Sequence, residues 1–465
     1  MVIDFLSYSL IPLFSALAIP FIARKNTRLV EVLANITLIA GFINVSYILL
    51  SYLIKNDPNI ITIDIFSLLM IFIIYLVGLA ITFFSSNYGI ENETNPISYY
   101  SLILIGVSAM SSIVITQDIF SLYVFVEALS IVSFALITSN NSEKSIEASI
   151  KYFFLTFPAS VLIIFGISIL LLNNPNLDFP TIKDTSSKML SIIGLSIIIV
   201  GFLIKSGIVP FHFWTPDVYQ GSYSPISAFL AGIITKTGGI YAIVKISSLI
   251  TNSSLNYYLS KILLVSGLLS VIIGGFLAMV QKDFKRILAY SSISQMGYII
   301  LAAATFTPLG IIAALFHIIN HATFKTVLFL NSACVEKQTQ TTSIDELKGL
   351  EHKMPVTSWT SIIAMMATAG IPPLSGFWSK LLVIVALWKS GNTFYAVTAL
   401  IASILTLVYF VNLQKKVFFG KLPEKFDTLK EAKAQLLIPV VVISAIIIFS
   451  GLFFNRIYSY LLKII

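Results

Sequence analysis

The chain has 465 residues, 57% of them hydrophobic and only 11% charged, with a mean hydropathy of +0.94. Soluble domains carry roughly 25% charged residues, so a soluble enzyme is excluded and an all-α polytopic membrane protein is expected. The single cysteine, Cys334, cannot ligate an iron–sulfur cluster or close an internal disulfide, and the net charge of +8 is scattered between apolar stretches rather than gathered into a nucleic-acid patch.

A helix needs about 20 apolar residues to cross the hydrocarbon core. In chain order, 14 stretches meet that demand: 5–23, 29–53, 63–85, 98–116, 118–138, 146–172, 191–219, 224–250, 259–279, 285–305, 308–335, 355–388, 393–414 and 434–454. The first follows Met1-Val2-Ile3-Asp4-Phe5, with no basic region or small-residue cleavage site, and reads as a retained span. Runs such as Leu190 to Ile204 lack the period-two alternation of membrane strands. The most polar loops are 173–190, 336–354 and 415–433.

Charge in the loops gives an orientation. Arg24, Lys25, Arg28, Lys144, Lys282, Lys285, Arg286, Lys337, Lys348, Lys353 and six lysines between Lys415 and Lys433 put 16 basic residues on one side. Lys55, Lys183, Lys188, Lys261, Lys389, Arg456 and Lys463 put 7 on the other. The positive-inside rule then sets both termini on the non-cytoplasmic side of a plasma-membrane protein. Segment 424–433, with alternating acids and lysines, reads as a solvated helix or loop.

Charges inside the spans need a reason, because each costs at least about 2.5–3.5 kcal/mol near the bilayer centre. Glu127 lies in SLYVFVEALSIVSFAL, Lys205 at the end of LSIIIVGFLIKSG and Lys236 in SAFLAGIITKTGGIYAIV. His317, His321 and Lys325 follow at i, i+4 spacing along one helix face, and Lys380 lies in the next stretch. A histidine pair at this spacing can bind zinc, but no glutamate follows the first as in HExxH, so a proton relay is favoured over a metal site. An opposite charge favours the charged form of a lysine, and burial without one opposes it. A pair whose separation changes can therefore load and release a proton.

Two stretches are interrupted by proline: Pro210 in KSGIVPFHFW and Pro372-Pro373 in AGIPPLSGFWSK, each near a lysine. Broken helices whose freed carbonyls and amides line a cavity are typical of ion pathways built from inverted repeats. A direct repeat is faint here. An offset of 165 aligns Asp118 with Asp283 but sets Ser292 opposite Glu127.

The segments GFLIKSGIVPFHFWTPDVYQGSYSPISAFLAGIITKTGGIYAIVK, KDFKRILAYSSISQMGYI, FHIINHATFKTVLFL and GIPPLSGFWSKLLVI together resemble the antiporter-like subunits of respiratory complex I and its relatives, in order, over about residues 60 to 420. The resemblance implies 14 transmembrane helices, with two inverted five-helix repeats (helices four to eight and nine to thirteen) and discontinuous helices seven and twelve. The corresponding parts are a three-helix segment at 1–97, repeats at 98–250 and 259–419, and a cytoplasmic loop with the last helix at 420–465. It also implies that Glu127 pairs with Lys205, and that Lys236, His317, His321, Lys325 and Lys380 continue a hydrated path.

Within the family, PFHFWTPDVYQGS and GIPPLSGFWSK look most like complex I chain N. The HxxxHxxxK run looks more like chains M and L or the D-type component of Mrp sodium/proton antiporters, and DIFSLYVFVEALSIVSFAL also resembles membrane-bound hydrogenase subunits. The chain ends soon after helix fourteen, so no lateral helix of the chain L type is expected, and lysine at 380 argues against a chain M pattern. The implied function is proton translocation in the membrane arm of a redox-driven pump. A secondary cation/proton antiporter subunit is the alternative, and a purely structural subunit fits poorly with so many buried ionisable groups. No catalytic residue, metal or cofactor is expected in this chain. Its partners are other membrane-arm subunits and lipid, with quinone reached only through neighbouring subunits and no nucleic acid.

Overall fold

The computed structural model describes residues 6–22, 26–55, 64–89, 94–173, 176–185, 188–249 and 255–462. Arg24, Lys25 and Lys463 of the loop charge count lie outside the described residues. The described residues are helical apart from turns, loops and two isolated β-bridges.

After a π turn at Leu6–Leu10, the helices are α1 (Ile11–Ile22), α2 (Thr27–Lys55), α3 (Ile65–Tyr88), α4 (Pro96–Ile115), α5 (Ile119–Ile137) and α6 (Glu143–Leu171). Then come α7 (Phe179–Thr185), α8 (Met189–Lys205) and α9 (Trp214–Gly221). Helix α10 (Ser224–Phe229) passes through π turns at Leu230–Ile234 and Lys236–Tyr241 into α11 (Ala242–Leu249). The rest are α12 (Leu255–Val280), α13 (Phe284–Ala303), α14 (Pro308–Thr339), α15 (Pro355–Ala369), α16 (Ser375–Lys389), α17 (Thr393–Val417), α18 (Ala434–Leu452) and α19 (Phe454–Leu462).

Polar residues at the ends of apolar runs start these helices. Asp64, Asn95, Asp118, Ser142, Asp283 and Thr307 accept backbone N–H bonds from Ser67, Ile97, Ser121, Ser145, Arg286 and Gly310. Such caps satisfy amides that the helix itself leaves open. Asp178 does the same for α7, accepting from Thr181 N at 2.8 Å; the Thr181 hydroxyl and amide hold its carboxyl below the usual carboxylate range. This short helix lies within 173–190, which the sequence pattern marks only as a polar loop.

Ten helical segments of the described residues are long and apolar enough to cross a membrane, and shorter apolar helices lie at Ser7–Ile22 and Met189–Lys205. The chain is a multi-pass membrane protein. The stretches that fall short of the fourteen do so for physical reasons. Those at 191–219 and 355–388 are each split into two helices, and 285–305 is one helix enriched in serine and glutamine. That helix, α13, is buried on nearly every side, as is α14, so their polar residues face protein. The outer helices turn large apolar side chains outward, among them Phe21, Ile36, Phe154, Phe165, Ile401 and Ile404, as contact with lipid tails requires.

Both splits share a local design. Helix α8 is followed by Gly207 (φ 65°) and α15 by Gly370 (φ 85°), each three residues before a proline, Pro210 or Pro373. Only glycine enters this left-handed region without cost. At Gly207 an added Cβ would also lie 2.1 Å from the Thr215 hydroxyl.

The faint offset of 165 residues acquires a backbone meaning. Asp118 forms an antiparallel bridge with Asp178, and Asp283 forms one with Ser343. In the first, Ile119 N bonds Leu177 O and Phe179 N bonds Gln117 O, both at 3.0 Å; in the second, Phe284 N bonds Thr342 O and Ile344 N bonds Lys282 O, both at 2.9 Å. The two bridges lie at opposite ends of the bundle. Gln117 and Phe179 share a cavity with Lys245 and Thr307. At the other end Lys282 pairs with Asp345, and Asp345 with Lys416. Helix α5 therefore starts at the end where α13 finishes.

The second end is tied by charge. Asp217 accepts from Arg286 and Lys151, each at 2.7 Å, and Lys337 donates to Tyr88 O at 2.6 Å. Segment 424–433 is more than a solvated face: Glu431 accepts from Val356 N at 2.7 Å and from the Thr357 hydroxyl at 2.7 Å, capping α15.

Candidate functional site

Lys205 closes α8 just before the first break, and its Nζ lies 3.0 Å from Glu127 Oε1 on α5. It also donates to the Ser130 hydroxyl at 2.9 Å, one helical turn further along. The lysine side chain is 5% exposed and the glutamate 26%, so the acid is the more accessible partner.

On the far side of Lys205 lies a small cavity of about 20 Å³, lined by Ser130, Ser133, Tyr152, Lys205, Thr235 and Gly238. That is room for about one water among several hydroxyls. Thr235 leads onward, because Lys236 Nζ donates to its hydroxyl at 2.9 Å and to Ala231 O at 2.5 Å. Lys236 opens the second π turn, where the widened helix sets residues five apart on one face. Its ammonium also lies 5.8 Å from the centre of the Tyr219 ring.

In the second half, His317, His321 and Lys325 lie along α14 and are all fully buried. His317 Nδ1 is 2.9 Å from the Ser379 hydroxyl, beside Lys380. His317 Nε2 and both ring nitrogens of His321 have no hydrogen-bond partner among the described residues. Lys325 donates to Leu288 O at 3.0 Å and to the Ser291 hydroxyl, with the Phe410 ring centre at 5.7 Å. Lys380 donates to Ala369 O at 3.3 Å, at the C-terminal end of α15, and lies 4.7 Å from the Tyr298 ring centre.

The sequence-predicted residues are thus brought into one buried region, but they do not form an unbroken chain. Apart from Glu127 and Lys205, none of the seven hydrogen-bonds another directly among the described residues. The linkers are hydroxyls and carbonyls: Ser130, Thr235, Ser291, Ser379 and Ala369. Sequence reasoning misses these, since hydroxyls are common in apolar helices and carry no charge to single them out. It also misses Lys245, and it counts Lys285 only as a loop charge. Lys285 is in fact 5% exposed and paired with Glu336 at 3.0 Å, and Glu336 also accepts from the Ser224 hydroxyl. Among the described residues no three His, Cys, Asp or Glu side chains converge as a metal site.

Residues 116–406 match the family described as NADH:quinone oxidoreductase/Mrp antiporter, TM. The chain belongs to this family. It is 31% identical over 406 residues to the D-type component of the Na(+)/H(+) antiporter of Alkalihalophilus pseudofirmus, covering 86% of this chain and 82% of that one. It is 29% identical to the N-type component of the NADH-quinone oxidoreductase of Desulforudis audaxviator, with 78% and 75% covered. A solved chain of the membrane-bound sulfane sulfur reductase, an archaeal respiratory membrane complex, superposes with a TM-score of 0.89 at 26% identity, covering 100% of this chain and 97% of that one. All seven ionisable residues of the site and the three prolines fall within the segment matched to the NADH:quinone oxidoreductase/Mrp antiporter family.

Proposed function

We propose that this chain is a proton-translocating membrane-arm subunit of a complex-I-type NADH-quinone oxidoreductase or a related redox-driven pump. The Glu127–Lys205 pair at 3.0 Å, opening through a water-sized cavity toward Lys236, carries this reading. Protons pass from Lys205 to Lys236, then by way of His317, His321 and Lys325 to Lys380, with waters bridging the gaps. The unpartnered nitrogens of His321 and His317 are the natural partners of such waters. Electrons and quinone belong to neighbouring subunits, and this chain supplies no redox centre or cofactor.

The reading includes 14 transmembrane helices and two inverted five-helix repeats at 98–250 and 259–419, flanked by 1–97 and 420–465, with helices seven and twelve discontinuous at Pro210 and Pro372-Pro373. The matched bridges of Asp118 and Asp283 at opposite ends, and the paired Gly-to-Pro breaks, support it. It also sets the lysine-rich 415–433 end in the cytoplasm and both termini outside the plasma membrane.

A second reading, a component of a Mrp-type secondary cation/proton antiporter, is favoured by the 31% identity to the Alkalihalophilus pseudofirmus antiporter chain. The native complex, purified and reconstituted in liposomes, separates the two. Proton movement driven by NADH or another electron donor with quinone supports the redox pump. Proton movement driven only by an imposed sodium gradient overturns it in favour of the antiporter.

A further inference from the structure

A cavity of about 810 Å³ opens at the end of the bundle opposite the 415–433 loop, and none of the seven path residues lines it. Among its lining residues are Asp64, Gln117, Lys183, Tyr241, Lys245 and Thr307. Asp64 is exposed to it, and behind that carboxylate stands a row of hydroxyls. Asp64 Oδ2 accepts from the Ser67 hydroxyl at 2.6 Å, and the Tyr241 hydroxyl lies 3.4 Å from Ser67 Oγ. With the Ser67 hydrogen committed to the carboxylate, Tyr241 is the donor to Ser67.

Tyr241 is buried, and it ends the π turn that begins at Lys236. Five residues separate the two, which in a π turn sets them on the same helix face. Lys245, one α-turn beyond, donates to Val114 O at 2.9 Å and Thr116 O at 2.7 Å. Val114 O also lies 3.2 Å from Ser67 Oγ, so the lysine's acceptor borders the hydroxyl row. A cation is thereby fixed beside the row where it meets the cavity.

We propose that Tyr241, Ser67 and Asp64 form a proton wire that connects the Lys236 turn with the aqueous cavity, with Lys245 as its positioning residue. A proton arriving on the Tyr241 oxygen displaces the phenolic proton to Ser67. Ser67 passes its own proton to Asp64, and Asp64 gives it to water in the cavity. The hydroxyls then reset by rotation, so no net charge stays on Tyr241 or Ser67. The first half thus has its own port to the open face, independent of the route through Lys380.

This inference rests on the proton-translocating reading, and the test keeps the two apart. Proton translocation is measured in vesicles carrying the assembled complex with Asp64→Asn, Asp64→Glu, Tyr241→Phe or Lys205→Ala. Asparagine caps a helix as well as aspartate does, so Asp64→Asn preserves the start of α3 while removing the titratable group. The expected result is about a tenfold loss in Asp64→Asn, less than the roughly 100-fold or more that a positioned proton-transfer group contributes because cavity water takes over part of the transfer, a similar loss in Tyr241→Phe, and recovery in Asp64→Glu. Wild-type translocation in Asp64→Asn, with Lys205→Ala inactive, overturns the wire alone. Equal losses in Asp64→Asn and Asp64→Glu also overturn it, since they mark a structural role. Wild-type translocation in Lys205→Ala removes the underlying reading instead.

Discussion

Lys205 and Lys325 are both enclosed by protein, yet they are held by different chemistry. Lys205 has a carboxylate at 3.0 Å, whereas among the described residues Lys325 donates only to a carbonyl and a serine hydroxyl. Lys380, further along the second half, donates to the carbonyl of Ala369. Position 292, set opposite Glu127 by the 165-residue offset, is a serine that turns its hydroxyl to Leu288 O. An ion pair favours the charged form of its lysine, while neutral dipoles favour it far less. In the proposed path the first half is built to hold a charge and release it when Glu127 moves. The second half is built to receive a proton and pass it on.

Removing the lysine between the halves gives the largest effect. Lys236→Ala is expected to lower proton translocation about 100-fold, the scale of losing a positioned proton-transfer group, and to do so at every pH tested. Retained translocation would mean that the halves work without a shared station, which breaks the comparison.

Glu127→Gln comes next. A neutral partner no longer favours a charged Lys205, so translocation falls about tenfold at the wild-type optimum, as a one-unit displacement of the pH profile would produce. Activity is expected to return at a displaced optimum. Two identical, pH-independent losses in Glu127→Gln and Lys236→Ala would make Glu127 a relay station rather than a switch.

The hydroxyl linkers sharpen the contrast at smaller scale. Thr235→Val keeps the shape but removes the bond to Lys236, and a hydrogen bond worth about 0.5–1.5 kcal/mol net implies about a threefold to tenfold slowing. Ser291→Ala should act similarly on Lys325, and rates measured in the assembled complex check both. The smallest expected effect is structural. Asp217→Asn weakens the pairs to Arg286 and Lys151, which are partly exposed, and should cost about 1 kcal/mol or less in thermal unfolding of the detergent-solubilised protein, with translocation unchanged.

The contrast between the halves is only half legible in the sequence. A charge inside an apolar run is conspicuous, so Glu127, Lys205, Lys236, His317, His321, Lys325 and Lys380 stand out from residue identity alone. Their partners do not, because Ser130, Thr235 and Ser379 are unremarkable residues whose role comes from helices crossing. Lys245 is hidden by its place near the end of a span, where a lysine needs no further reason. The apolar runs reveal the helices, but not that α13 is too polar to qualify as a span by itself. The proposed internal repeat is faint for a related reason. The bridges of Asp118 and Asp283 are made by backbone atoms, which leave little trace in side-chain identity.

The most direct test of proton transport along the buried lysines is the translocation rate of Lys205→Ala in a complex shown to be fully assembled. The pairing of Lys205 with Glu127 at the start of the path predicts loss of most translocation while assembly survives. Translocation near the wild-type rate would contradict it, and would make Lys205 a structural charge with the path elsewhere.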